Sequence, residues 1–105
     1  MKTINAKEKE TFYFIVSMFD SEDNPVTGLE DYLFCDIDDT SYGKKVSLIV
    51  TADIEPGRYI FKLEEPLELK GGKEYLMDIK VVDPDTGNIK YTETMKLNVI
   101  KSVTE

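Results

Sequence analysis

Hydrophobic and polar positions alternate with a period of two along most of this chain, and the runs are rich in β-branched and aromatic residues, the pattern of half-buried strands. "TFYFIVSMF" (Thr11–Phe19) predicts one strand, and the turn formers of "DSEDNPVTG" follow it. Tyr32–Asp38 sets Leu33, Cys35 and Ile37 on one face against Tyr32, Phe34 and Asp36 on the other. Val46–Thr51 predicts a short strand and "DIEPG" a turn. Within Arg58–Glu64, Tyr59, Phe61 and Leu63 share a face; within Glu74–Val82, Tyr75, Met77, Ile79 and Val81 do. "DPDTGN" turns the chain, and Ile89–Ile100 returns with Ile89, Tyr91, Met95, Leu97 and Val99 on one face. Glu93 falls on that same face, which points to a bulge or an exposed end there.

No window carries the apolar stripe of an amphipathic helix. Short strands separated by turn signals every ~8–12 residues are the pattern of a sandwich or a barrel. The chain is therefore expected to be all-β and to form a single domain over residues 1–105, and the corner around Tyr75 narrows it to an immunoglobulin-like antiparallel β-sandwich of about seven strands. Residues 1–9 leave two readings open. Lys2–Ala6 can be an edge strand of the fold itself. Alternatively the segment is an arm that adds a strand to a neighbour's exposed edge, with Lys2, Ile4 and Lys7 as its contact residues.

"LELKGGKEY" raises the question of why a tyrosine should follow a glycine pair and open a strand. In immunoglobulin-like sandwiches, a tyrosine near the start of the penultimate strand folds its hydroxyl back onto the upstream backbone, so that the ring is buried without an unpaired polar group. Leu69 plugging the core, Gly71 and Gly72 allowing the bend and Tyr75 closing it fit that corner. The alternative is that Tyr75 is one more half-buried strand aromatic.

Composition narrows the chemistry. The net charge is −8, with the carboxylates dispersed rather than gathered in a tail. This balance argues against direct contact with nucleic acid or an anionic membrane, and its plainest consequence is solubility. One cysteine, Cys35, excludes an internal disulfide, which fits folding in a cytosol. Cys35 shares the inward face of its strand and reads as a small buried hydrophobe. The apolar run Phe12–Val16 is too short for a signal peptide or a membrane span, so a soluble protein made in the cytoplasm is expected.

The chain has no histidine, so its serines lack the usual activating base, and Arg58 is its single arginine, read as a solvated charge. Carboxylates cluster at Asp20/Glu22/Asp23, Asp36/Asp38/Asp39 and Asp83/Asp85. "DPDTGN" superficially suggests a calcium loop, but Asn88 and Thr94 stand where such a loop needs glycine and glutamate, and the same residues are natural to a hairpin turn. A weak cation site at Asp36, Asp38 and Asp39 is the other metal reading weighed. No cofactor, no resident metal and no catalytic residue is expected.

The order of features is more specific than any one of them. "FYFIVSMFDSEDNPVTGLEDYLFCDI", followed by "GRYIFKLEEPLELKGGKEYLMDIKVVDPDTGNIKYTETMKLNVIKSVT", resembles the small immunoglobulin-like structural proteins of tailed bacteriophages, which serve as head decoration, tail and baseplate modules. The similarity runs from about Glu10 to Thr104 and rests on turn and corner signatures; Asp38–Ala52 departs from it. The resemblance implies a non-enzymatic virion protein, made soluble in the host cytoplasm, that binds other virion proteins of a capsid or tail lattice, lattice-bound or as a homo-oligomer. Two other classes stay open. One is a carbohydrate- or cell-surface-binding module presenting aromatics such as Tyr13, Tyr32, Phe34 and Tyr42; the other is a small acidic inhibitor that mimics nucleic acid.

Overall fold

The computed structural model describes residues 2–39, 44–64, 71–92 and 94–101. Strands run in the order β1 (Thr3–Lys7), β2 (Tyr13–Ser17), β3 (Leu33–Asp39), β4 (Lys44–Ser47), β5 (Ile49–Ala52), β6 (Arg58–Lys62), β7 (Lys73–Val82), β8 (Ile89–Tyr91) and β9 (Met95–Ile100). One sheet has the order β1-β9-β7-β3-β4, with β8 also on β7; the other has the order β2-β6-β5. The sheets pack as a β-sandwich of immunoglobulin-like topology, in which β2 pairs with β6 and β3 with β7, so the chain crosses between sheets after β2. One pair departs from the expected antiparallel pattern: β1 runs parallel to β9.

The two inner faces interdigitate. Tyr59, Phe61, Ile37, Leu97, Val99 and Cys35 are almost wholly enclosed, and Phe14 stacks on Phe61 with ring centroids 5.0 Å apart. These are the inward faces that the alternation marked, because a strand places every second side chain on the same side.

Two expectations are corrected. Val46–Thr51 is not one strand: the chain changes sheet at Leu48, with β4 on β3 and β5 on β6. The buried Leu48 donates its N–H to the Cys35 carbonyl at 2.9 Å. Val46, Leu48 and Val50 all keep their inward parity through the switch, so nothing in the alternation marks it.

Ile89 and Tyr91 do not share the inward face of Met95, Leu97 and Val99; they are exposed. In β8, Lys80 faces Tyr91, a register that would place residue 93 opposite Asp78. In β9, Met77 faces Met95, which would place residue 94 there. The register thus slips by one residue between β8 and β9, and a one-residue slip flips every side chain beyond it to the other face. Glu93, whose parity pointed to a bulge, lies outside the described residues.

Candidate interaction surfaces

The loops at one end of the sandwich are held by a tyrosine, and it is Tyr59. Its hydroxyl donates to the Val26 carbonyl at 2.6 Å and accepts from the Leu29 N–H at 3.2 Å. Residues 26–29 are thereby pinned over the core. Met18 donates its N–H to the Gly57 carbonyl at 2.7 Å, and Val82 donates to the Tyr32 carbonyl at 2.9 Å, so the β2–β3 loop meets both the β5–β6 turn and the end of β7. The sequence carried a signal for Tyr59: "PGRY" sets a tyrosine just after a turn glycine, much as "GGKEY" does.

At the other end, Tyr75 is buried on β7 with the Lys73 ammonium 5.6 Å from its ring centroid. Gly71 and Gly72 precede it in distinct roles. Gly72 has φ +81° and donates its N–H to the Val99 carbonyl at 2.7 Å. Gly71 donates to Glu8 Oε2 at 3.0 Å, and a Cβ there would stand 2.8 Å from the Lys101 Cα. Leu69 lies outside the described residues.

Lys2, Ile4 and Lys7 belong to the molecule's own sheet. Ile4 faces Leu97 and packs against the core, Lys7 faces Ile100, and the Lys2 carbonyl accepts from the Lys96 N–H at 2.9 Å. Of the two readings of residues 1–9, the description is that of the edge strand, and the main chain of an arm is already engaged by β9.

The carboxylate clusters at the turns are used locally. Asp20 Oδ1 accepts from the N–H groups of Glu22 and Asn24, both at 2.9 Å, and these bonds, Asn24's foremost, hold its carboxyl below the usual range. Asp83 Oδ1 accepts from the Asp85 N–H at 2.8 Å, the main cause of its own lowered pKa. The Asp83 N–H donates to the Asn88 carbonyl at 2.8 Å, which closes "DPDTGN" as a hairpin turn. Arg58 is a surface charge, and it is paired. Its guanidinium sits 2.9 Å from Glu55 and 3.5 Å from Asp53 across the β5–β6 turn, and the Glu55 bond foremost raises its pKa. Among the described residues, no group of three or more cysteines and carboxylates is placed to hold a metal ion.

Two outer surfaces stand apart from these turns. The first is an open groove of about 590 Å³ on the outer face of the five-strand path, lined in part by Phe34, Asp36, Asp38, Leu76, Asp78 and Tyr91. Asp36 and Asp78 stand directly opposite one another in the β3–β7 register. Ser47 Oγ donates to Asp36 Oδ1 at 2.7 Å, and the Lys80 ammonium lies 5.4 Å from the centroid of the Phe34 ring. The groove offers aromatic faces and hydrogen-bond acceptors. The slip between β8 and β9 is what brings Tyr91 to it.

The second surface is the outer face of β2-β6-β5, where Tyr13, Ile15 and Ile49 are exposed at 59%, 43% and 49%. Ile15 is opposite Ile60, and Tyr13 and Ile49 both flank Lys62. Of the other aromatics considered for a binding face, Tyr32 and Phe34 are exposed, and Tyr42 lies outside the described residues.

The fold is that of a disulfide-free, immunoglobulin-like β-sandwich. No protein-family model matches the chain, and no curated protein is similar to it. Among the described residues, no helix is long and apolar enough to cross a membrane.

Proposed function

We propose that this chain is a non-enzymatic structural protein of a tailed-bacteriophage virion, a capsid-decoration or tail-associated module that docks on a protein lattice. The observation that carries this reading is the outer face of β2-β6-β5. It sets Tyr13, Ile15 and Ile49 in solvent around Lys62 on a three-stranded sheet, apolar surface that a protein contact would cover. The order of turn and corner signatures that resembles small virion modules supports the same reading. So does the local use of Asp20, Asp83 and Arg58, which gives the most prominent charges structural work in turns. Mass spectrometry of purified particles from the source phage tests it: the protein is expected at a stoichiometric copy number, and particles that lack it refute the proposal.

A second reading is favoured by the groove, where Phe34 and Tyr91 flank Asp36, Asp38 and Asp78. Aromatic faces beside carboxylate acceptors suit a sugar, and a carbohydrate-binding module would use them so. Titration with host cell-wall polysaccharide, with Phe34→Ala as the comparison, separates the readings. Saturable binding lost in the variant favours the sugar reading; no binding leaves the lattice reading in place.

A further inference from the structure

We infer that the groove on the outer face of the larger sheet binds a linear, neutral β-1,4-linked glycan, laid across the strands so that alternate sugars stack on Phe34 and Tyr91. The inference deepens the carbohydrate reading and rests on it. In the register, Lys80 of β7 stands opposite Phe34 on one side and opposite Tyr91 on the other. The three residues form one row across β3, β7 and β8, with an aromatic at each end. Both aromatics are exposed, at 48% and 64%, and both line the groove. Adjacent strands lie about 4.8 Å apart, so the two platforms are separated by roughly 10 Å.

That spacing selects the linkage. The C–H face of a pyranose ring is apolar and packs against an aromatic ring. In an extended β-1,4 chain each sugar is turned over relative to the last. Every second sugar therefore presents the same face, and one disaccharide spans about two strand spacings. The first and third sugars of such a chain meet Phe34 and Tyr91 together, with the middle sugar over the strand that carries Lys80. An α-1,4 chain coils and does not reach both platforms in this way. The Lys80 ammonium, 5.4 Å from the centroid of the Phe34 ring, stands on that path as a donor for a sugar oxygen.

The neighbouring rows supply acceptors. Asp36 and Asp78 stand directly opposite one another, and Asp38 follows opposite Leu76. Like charges so placed repel, and an ionised carboxylate can only accept. The Ser47 hydroxyl already donates to Asp36 Oδ1 at 2.7 Å, the bond that a sugar hydroxyl would make. Charge also narrows the occupant. Three carboxylates against Lys80 among the lining residues repel a polymer that bears uronic acids or phosphates. A protein surface would have to strip water from Asp36 and Asp78 together. A neutral glycan brings hydroxyl donors without charge. The groove and the outer face of β2-β6-β5 belong to different sheets, so a glycan in the groove leaves the lattice-facing surface free.

The experiment is calorimetric titration of the full chain with cellohexaose and chitohexaose, against cellobiose, chitobiose and maltohexaose. At least one β-1,4 hexaose is expected to bind saturably. Its disaccharide reaches a single platform and is expected to bind roughly tenfold or more weakly, and maltohexaose is expected not to bind. Phe34→Ala and Tyr91→Ala, both at exposed positions, should each lower the affinity roughly tenfold or more, while Phe19→Ala, an exposed aromatic outside the groove, should leave it unchanged. The inference is overturned if neither hexaose binds, if the disaccharide or maltohexaose binds as tightly, or if either groove variant keeps full affinity. Maltohexaose binding that is lost in Phe34→Ala overturns the linkage and leaves the carbohydrate reading standing; no binding of any sugar, host cell-wall polysaccharide included, removes both. Should a groove variant fail to fold, the preference of the unmodified protein for chain length and linkage decides.

Discussion

Replacing Tyr59 by phenylalanine removes one oxygen atom from the interior and should weaken the fold markedly. The ring is 1% exposed and stays in place in the variant, so no cavity forms and the effect is that of the hydroxyl alone. That hydroxyl serves two main-chain groups, the Val26 carbonyl at 2.6 Å and the Leu29 N–H at 3.2 Å. A neutral hydrogen bond contributes about 1 kcal/mol net, and a buried group left without its partner costs about 1–3 kcal/mol. Leu29 is buried, while Val26 is half-buried and can regain water, so the larger penalty applies on the Leu29 side. The expected loss is about 2–3 kcal/mol, and at about 4–8 °C per kcal/mol for a domain near this size the melting temperature should fall by roughly 10 °C or more. Urea melts of the two proteins measure it, with an unchanged m-value showing that the unfolded state is the same. Exchange of the Leu29 amide should accelerate more than that of core amides in β7. A midpoint unchanged within error would mean that the β2–β3 loop is held by something other than Tyr59.

Gly57→Ala should cost more than the ~1–2 kcal/mol of a left-handed alanine, because φ is +80° and the new Cβ would also stand 2.7 Å from the Pro25 Cβ; a denaturant melt within 1 kcal/mol of the parent (about the lower limit for strain alone) would contradict the packing of that turn. The Cys35 thiol is pushed up to about 12, first by burial and then by the charges of Asp36 and Asp78, so at neutral pH it should resist an aromatic disulfide reagent in the native protein and react at once in denaturant. Asp20 and Asp83 have folded pKa values below their unfolded ones; their contribution is therefore complete above the unfolded value near ~3.9 and disappears as pH falls through the folded one. The double variant Asp20→Asn, Asp83→Asn should accordingly show a shallower acid limb in stability against pH, and an identical limb would count against the turn geometry. Tyr75→Phe is expected to lower stability by roughly 1–3 kcal/mol if its hydroxyl is bonded at the corner, with an unchanged urea midpoint as the refuting result.

The core was legible because a strand reports its buried face in every second residue. Leu33, Cys35 and Ile37, then Tyr59, Phe61 and Leu63, then Tyr75, Met77 and Ile79 all sit inside, as their parity indicated. What stayed hidden were events that preserve parity and events that shift it by one. At Leu48 the chain changes sheets while its inward residues continue to alternate, so the pattern cannot register the switch. Between β8 and β9 a single-residue slip inverts the pattern, and only the misplaced parity of Glu93 hinted at it. The groove depends on that slip, since Tyr91 would otherwise point inward. The pairing of Arg58 stayed hidden because its partners, Asp53 and Glu55, flank a turn whose closure brings them back onto it.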